Sequence, residues 1–418
     1  MKPMVLLKLT GTVLIAVLIV FVATHPAFLT IAGTDYFLFT TLLGVVLIHL
    51  RLSPTLLDGA LLIAGTAALC VLAPRMVSFP VSQFAYLSLP GLVSLAVLPA
   101  RMIWGKADRQ KLIGAALATA VCFISAGWLT GPMLRYVTRL RPLVLDLYLY
   151  AFDASLRAQF SFLLGQAFLK WRWFAAISIW CYIGLSLILA LAFVENLRRD
   201  VWRGIRVASV FLFCGPIGVT FYTFFPGLGP RMLFRKDFPL HPLATLAASQ
   251  LRLEPISLDG PRNAIPSLHM TWVLLAWWCC EKTSLGSRIV AALFVIFTIT
   301  STMGTGEHYF VDLVVAAPFA LFLYAVFCAE ASWRDGRRWS AILAGLGMVF
   351  IWFGLLRREP HLFWISPLLP WGMVAATVAG TLWLKSRLAA TPPIAARAKP
   401  EAELVEVQAE DPEGVAAS

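Results

Sequence analysis

Long uninterrupted apolar runs constrain this chain more than any other feature. A bilayer's hydrocarbon core takes roughly 20 consecutive apolar residues in a helix. Only helices and closed barrels satisfy their backbone polar groups there. Apolar runs set against polar breaks place spans near 4–24, 35–50, 55–73, 84–103, 112–130, 173–193, 206–225, 266–283, 288–306, 309–329, 341–356 and 363–384. Only 13% of the residues are charged, against roughly 25% in a soluble domain. That scarcity excludes a disordered chain and an ordinary cytosolic enzyme. The expected fold is all-α, a polytopic transmembrane helical bundle of about 10–12 spans with interfacial helices.

A net charge of +12 could suggest a nucleic-acid partner, but the placement of the basic residues argues against one. Lys and Arg sit in short clusters between apolar runs, as topology determinants do. Arg101, Lys106, Arg109 and Lys111 mark one side, with Arg198, Arg199, Arg203 and Arg206. Lys282, Arg288, Arg334, Arg337, Arg338, Lys385 and Arg387 fall on the same side. The alternation puts both termini in the cytoplasm. Two long loops, 131–172 and 226–265, then lie on the extracytoplasmic, periplasmic side. The first apolar run lacks a clean small-residue cleavage site at Ala23-Thr24-His25-Pro26, so a retained helix is expected rather than a signal peptide. The seven cysteines all fall inside apolar stretches without C-x-x-C spacing, which reads as buried inert thiols.

The chain divides by composition. Residues 1–130 are amino-terminal transmembrane helices without an assigned task. Residues 131–172 form an interfacial helical loop, too apolar for free solvent and too interrupted to span. Residues 173–330 are the core, and 331–387 are carboxy-terminal transmembrane helices. Residues 388–418 are a cytoplasmic tail with too little apolar surface to order. Asp146 and Asp153 in the interfacial loop are candidates to face a substrate.

The polar residues that topology does not use gather in three segments, all placed at the extracytoplasmic face. The first runs from Tyr222 through Gly229 and Pro230 to Arg231. The second is Gly260-Pro261-Arg262-Asn263-Ala264-Ile265-Pro266-Ser267-Leu268-His269. The third is Gly304-Thr305-Gly306-Glu307-His308-Tyr309-Phe310-Val311-Asp312. His308 and Asp312 are four apart and share a helix face. A carboxylate there fixes the imidazole tautomer and leaves the other nitrogen as nucleophile or base. Pro266 suits a first helical turn, so Ser267 and the adjacent amides form an anion site. His269 follows, placed to donate a proton. Arg262 offers a planar fork for phosphate, and Asn263 and Arg231 complete the phosphate-binding set. Tyr222, Gly229 and Tyr309 are further candidates for substrate contact. Together these groups suit phosphoryl transfer, in which charge spreads over nonbridging oxygens. No H-x-E-x-H or cysteine spacing supports a zinc site, so neither a metal nor another cofactor is expected.

At these residues the sequence resembles the type 2 phosphatidic acid phosphatase superfamily, whose active site combines a P-S-x-H segment with a later H-x-x-x-D segment. Here they read Pro266-Ser267-Leu268-His269 and His308-Tyr309-Phe310-Val311-Asp312. The resemblance implies a six-helix phosphatase-like core. It implies His308 as a nucleophile forming a phosphohistidine, Asp312 orienting it, and His269 as the acid for the leaving group. Ser267 and nearby amides would cradle the phosphate. Two features depart from the family's phosphatases. The lysine-and-arginine K-x6-R-P motif is replaced by Tyr222, Pro226, Pro230 and Arg231, and an arginine six residues before the histidine is replaced by Thr302. Both departures resemble the branch of inositol phosphorylceramide synthases, as does Asn263-Ala264-Ile265-Pro266-Ser267-Leu268-His269.

The resulting expectation is an integral membrane lipid phosphotransferase. It would move a phospho-headgroup, inositol-phosphate-like, from a phospholipid donor to a lipid or sugar acceptor. The alternative is a lipid phosphate phosphatase, in which water takes the acceptor's place. A lipid transporter would need interrupted helices and charges near the bilayer midplane. A polyprenyl-phosphate-sugar glycosyltransferase would use Asp35, Asp146 and Asp153 and would leave the His–Asp constellation unexplained.

Overall fold

The computed structural model describes residues 36–52, 54–76, 83–104 and 107–389. The expected first span at 4–24 and all but the first two residues of the tail at 388–418 lie outside them. Helices dominate, because a backbone in hydrocarbon must bond to itself. The chain forms α1 (Tyr36–Arg51), α2 (Leu56–Met76), α3 (Gln83–Trp104) and α4 (Ala107–Leu140). After a short strand β1 (Leu143–Val144) come α5 (Asp146–Ser155), α6 (Phe160–Lys170), α7 (Arg172–Ile183), α8 (Leu185–Leu197) and α9 (Val201–Phe221). The next long loop holds α10 (Pro230–Phe234), α11 (Thr245–Ser249) and β2 (Ile256–Ser257). The remaining helices are α12 (Leu268–Cys280), α13 (Leu285–Gly304), α14 (Phe310–Phe327), α15 (Gly336–Arg358) and α16 (Leu368–Ala389).

Among the described residues, seven helices are long and apolar enough to cross a bilayer, and an eighth span exists if α7 and α8 count as one. The protein is an integral membrane protein. The span pattern differs from the expected twelve: the helices at 35–50 and 363–384 are not among the seven, and three further runs depart from their expected bounds. The run expected at 173–193 breaks at Gly184, where α7 and α8 meet at a 53° bend. The helix expected to end at 130 continues through Pro132 to Leu140. The run expected at 266–283 becomes the 13-residue α12, which rises about 20 Å against a hydrocarbon core of about 30 Å.

Helices α8, α9, α12, α13 and α14 pack on one another as the centre of the bundle. The amino-terminal helices join it through α1, which lies on α8, and through α4, which lies on α9. The carboxy-terminal α15 and α16 pack on α14. Phe152 of α5 sits edge-on to Trp352 and Phe363, with ring centroids 5.2 and 4.8 Å away. The Trp371 indole donates to the Leu156 carbonyl at 3.2 Å. The last helices thus brace α5. At the end of the bundle away from α5, Glu330 pairs with both Arg203 and Lys282.

The two long loops are joined by a small antiparallel ladder that pairs Leu143 with Ser257 and Val144 with Ile256. Directly opposed residues in such a ladder have Cα atoms about 4.5–5.5 Å apart, within disulfide range. The double substitution Leu143→Cys/Ser257→Cys is expected to cross-link under mild oxidation without lowering the melting temperature. A pair that stays reduced in a folded protein contradicts this register.

Candidate active site

The three polar segments meet, and their backbones tie them together in pairs. The amide of Arg231 donates to the Gly306 carbonyl at 2.9 Å, linking the first segment to the third. The amides of Asn263 and Ala264 both donate to the Gly227 carbonyl, at 3.0 and 3.1 Å, linking the second to the first. The Ser267 amide donates to the Asp312 carbonyl at 3.1 Å, linking the second to the third. Glycine makes the closest approach possible. Gly229 has φ 132°, and a Cβ there would lie 2.4 Å from the Glu307 carbonyl oxygen. Gly306 has φ 74°, and a Cβ there would meet Arg231 and Phe238 at 2.8 Å.

His308 lies just before α14 and is 2% exposed. Its Nδ1 is 3.3 Å from Asp312 Oδ2. The same oxygen accepts the Tyr309 amide at 2.8 Å, so Asp312 caps the helix and faces the imidazole at once. A carboxylate only accepts, so Nδ1 carries the hydrogen and Nε2 keeps its lone pair. The His308 amide donates to Thr302 O and its carbonyl accepts from Ser161 Oγ at 2.9 Å. Thr302, at the position where the resembled phosphatases carry arginine, closes the hairpin with its carbonyl.

Ser267 is the N-cap of α12, and its Oγ accepts from the Met270 amide at 3.4 Å. Pro266 therefore stands one residue before the cap rather than in the first turn. The Ser267 amide, expected to face an anion, is committed to Asp312. His269 stands two residues past the cap, in the first turn of α12. Tyr182 stacks on its ring at 4.1 Å and Trp272 meets it edge-on at 6.2 Å. His269 and His308 are near enough for the charge of one to bear on the other. Tyr182 comes from the end of α7, beside the Gly184 bend, and Trp272 is fixed by donating to Phe211 O at 2.9 Å.

Several expected contacts face backbone instead. The buried Arg262 guanidinium donates to the carbonyls of Arg141, Pro142 and Gly260, which uses the fork expected to bind phosphate. Asp146 accepts the amides of Leu228 and Gly229 and the hydroxyl of Tyr309. Asp153 accepts the amides of Phe310 and Val311 at 2.7 and 3.2 Å. Both carboxylates are under 4% exposed and hold loops in place. Tyr309 and Gly229 are occupied in the same arrangement, and the buried Tyr222 faces the Leu268 backbone. Asn263 is half-buried. Arg231 remains 62% exposed at its side chain, 3.4 Å from Glu307. Among the described residues, no three His, Cys, Asp or Glu side chains converge as metal ligands.

Sequence reasoning missed Tyr182, Trp272, Ser161 and Glu307. The first three lie inside apolar runs with no local signal. Glu307, beside His308, was visible in the third segment.

Burial lifts the Asp146 carboxyl to about 6 and the Asp153 carboxyl to about 8, against amide bonds that pull them down. A raised carboxyl pKa means that the native state favours the protonated form. The stability it contributes is fully present below about pH 4 and is lost as pH rises through the two native values. The melting temperature in detergent is expected to fall between about pH 4 and about pH 8. Asp153→Asn, which keeps an oxygen for the Phe310 amide, is expected to flatten the upper part of that fall. A wild-type melting temperature that rises across the range contradicts this.

Comparison with curated proteins and with solved structures finds no match. Residues 147–326, which hold all three polar segments and leave α1 to α4 and α15 to α16 outside, match the family model of the PAP2 superfamily.

Proposed function

We propose that this protein is a membrane phosphotransferase acting on a phosphodiester lipid, with its site at the extracytoplasmic face and both termini in the cytoplasm. The family match supports a lipid enzyme of the phosphatase or phosphotransferase type. The observation that carries the finer reading is the shortage of fixed positive charge beside two imidazoles. Of the two arginines in the three segments, Arg262 is spent on carbonyls. Arg231 is left. A phosphomonoester carries about two negative charges near neutral pH, whereas a diester carries one. One guanidinium beside two histidines matches the diester better.

In this reading residues 173–330 are the catalytic core. His308 Nε2 attacks phosphorus while Asp312 holds Nδ1–H and steadies the imidazolium that forms. His269 gives its proton to the leaving oxygen. An anion bound between the two rings favours the protonated form that this step requires. Arg231 and the amide of His269, in the first turn of α12, stabilise the spread charge. The phospho-headgroup, inositol-phosphate-like, then passes from His308 to an acceptor hydroxyl.

The test incubates purified protein with headgroup-labelled phospholipids, with and without ceramide or diacylglycerol. Label in a new lipid is expected. Label found solely in a water-soluble product would show hydrolysis and support the phosphatase alternative, and no product of either kind would falsify the enzyme reading. His308→Ala is expected to abolish turnover with an unchanged melting temperature. His269→Ala is expected to cost about 10²- to 10⁴-fold.

A further inference from the structure

A cavity of about 400 Å³ lies between α1, α4, α8, α9 and α12. Its walls are apolar, with Phe123 and Leu134 from α4, Leu189 from α8 and Val219 from α9. Leu129 and Pro216 at its edge are exposed, so it opens sideways between α4 and α9, where bilayer hydrocarbon would lie. Three side chains with polar atoms line it. Thr130 donates to the Ala126 carbonyl at 3.0 Å and the Trp272 indole donates to Phe211. His269 is the third, and no hydrogen bond ties its ring to another described residue. The cavity is therefore an apolar sleeve with an imidazole at one end, and α4, a principal wall, lies outside the residues that match the family model.

We infer that this cavity holds the alkyl chain of the lipid alcohol whose oxygen leaves, or attacks, the phosphorus. The inference rests on the reading of His269 as the acid and names the substrate of that same site. Whatever His269 protonates must lie against it, and on this side its surroundings are hydrocarbon. A sugar or inositol placed here would bury hydroxyls without partners, which is unfavourable, whereas an alkyl chain exchanges one apolar medium for another. The headgroup thus stays on phosphorus and the lipid side departs. In the first half-reaction the His308 Nε2–P bond forms, the P–O bond to the lipid alcohol breaks, and the His269 proton goes to that oxygen. In the second, a lipid acceptor's hydroxyl gives its proton to His269, its oxygen bonds to phosphorus, and the P–N bond breaks. Donor and acceptor chains occupy the same sleeve in turn, which makes the acceptor a lipid rather than a sugar.

The test fills the sleeve from two walls with Ala126→Leu and Gly215→Leu. Gly215 has room, since an added Cβ would sit 3.5 Å from Trp272. Turnover is compared on a long-chain phospholipid and on a short-chain soluble analogue with the same headgroup. The expected result is a loss of tenfold or more on the long chain, little change on the short chain, and an unchanged melting temperature. Equal losses on both substrates, or none on either, overturn the inference. If the wild type turns over neither lipid, the functional reading falls, and a diacylglycerol carrying a photoactivatable alkyl chain decides the cavity alone. Label concentrated in peptides of α4 and α9, and lost in the two variants, sustains it. Label spread evenly over the lipid-facing helices overturns it.

Discussion

Three sets of backbone hydrogen bonds, from Arg231 to Gly306, from Asn263 and Ala264 to Gly227, and from Ser267 to Asp312, close the polar segments into one unit. Everything proposed for the site depends on that closure. It brings residues more than thirty positions apart to one end of a bundle and leaves their side chains free to do other work. Amides and carbonyls so buried would each lose a hydrogen bond's worth of free energy if the loops parted. The loops are therefore fixed by necessity, and the imidazoles they carry are fixed with them.

Further support comes from α5. Its two aspartates, seven residues apart, lie on one helix face and reach the 228–229 turn and the start of α14. Each accepts amide hydrogens that would otherwise be buried without a partner. The cost of burying a carboxylate is what raises their native pKa values. The carboxy-terminal helices now have a task in this arrangement. Through Trp352, Phe363 and Trp371 they press on α5, which in turn aims the amino-terminal end of α14 and so His308.

Membrane character and the convergence of three segments were legible in the sequence, because a polar residue inside an apolar run has few innocent explanations. The helical class followed for the same reason. Other features were not legible for physical causes. Gly184 breaks a continuous apolar run by 53°, and hydropathy averages over such a bend. The helix through Pro132 continues to Leu140 because sequence alone does not say whether a proline kinks a helix or ends it. Asp146, Asp153 and Arg262 looked like groups awaiting a substrate. A carboxylate that meets a backbone amide and one that meets a ligand have the same letter, and only the fold separates them. Tyr182 gave no signal at all, since its partner His269 is distant in the chain.

The central claim is that His308 becomes covalently phosphorylated. The most direct measurement mixes the protein with phospholipid in the absence of acceptor, quenches in alkali, where phosphohistidine survives, and maps modified peptides by mass spectrometry. The account expects the mass of a phospho-headgroup on the peptide containing His308, accumulating without acceptor and disappearing when a lipid alcohol is added. Steady turnover with that peptide unmodified at every time point, or the adduct on another residue, contradicts it.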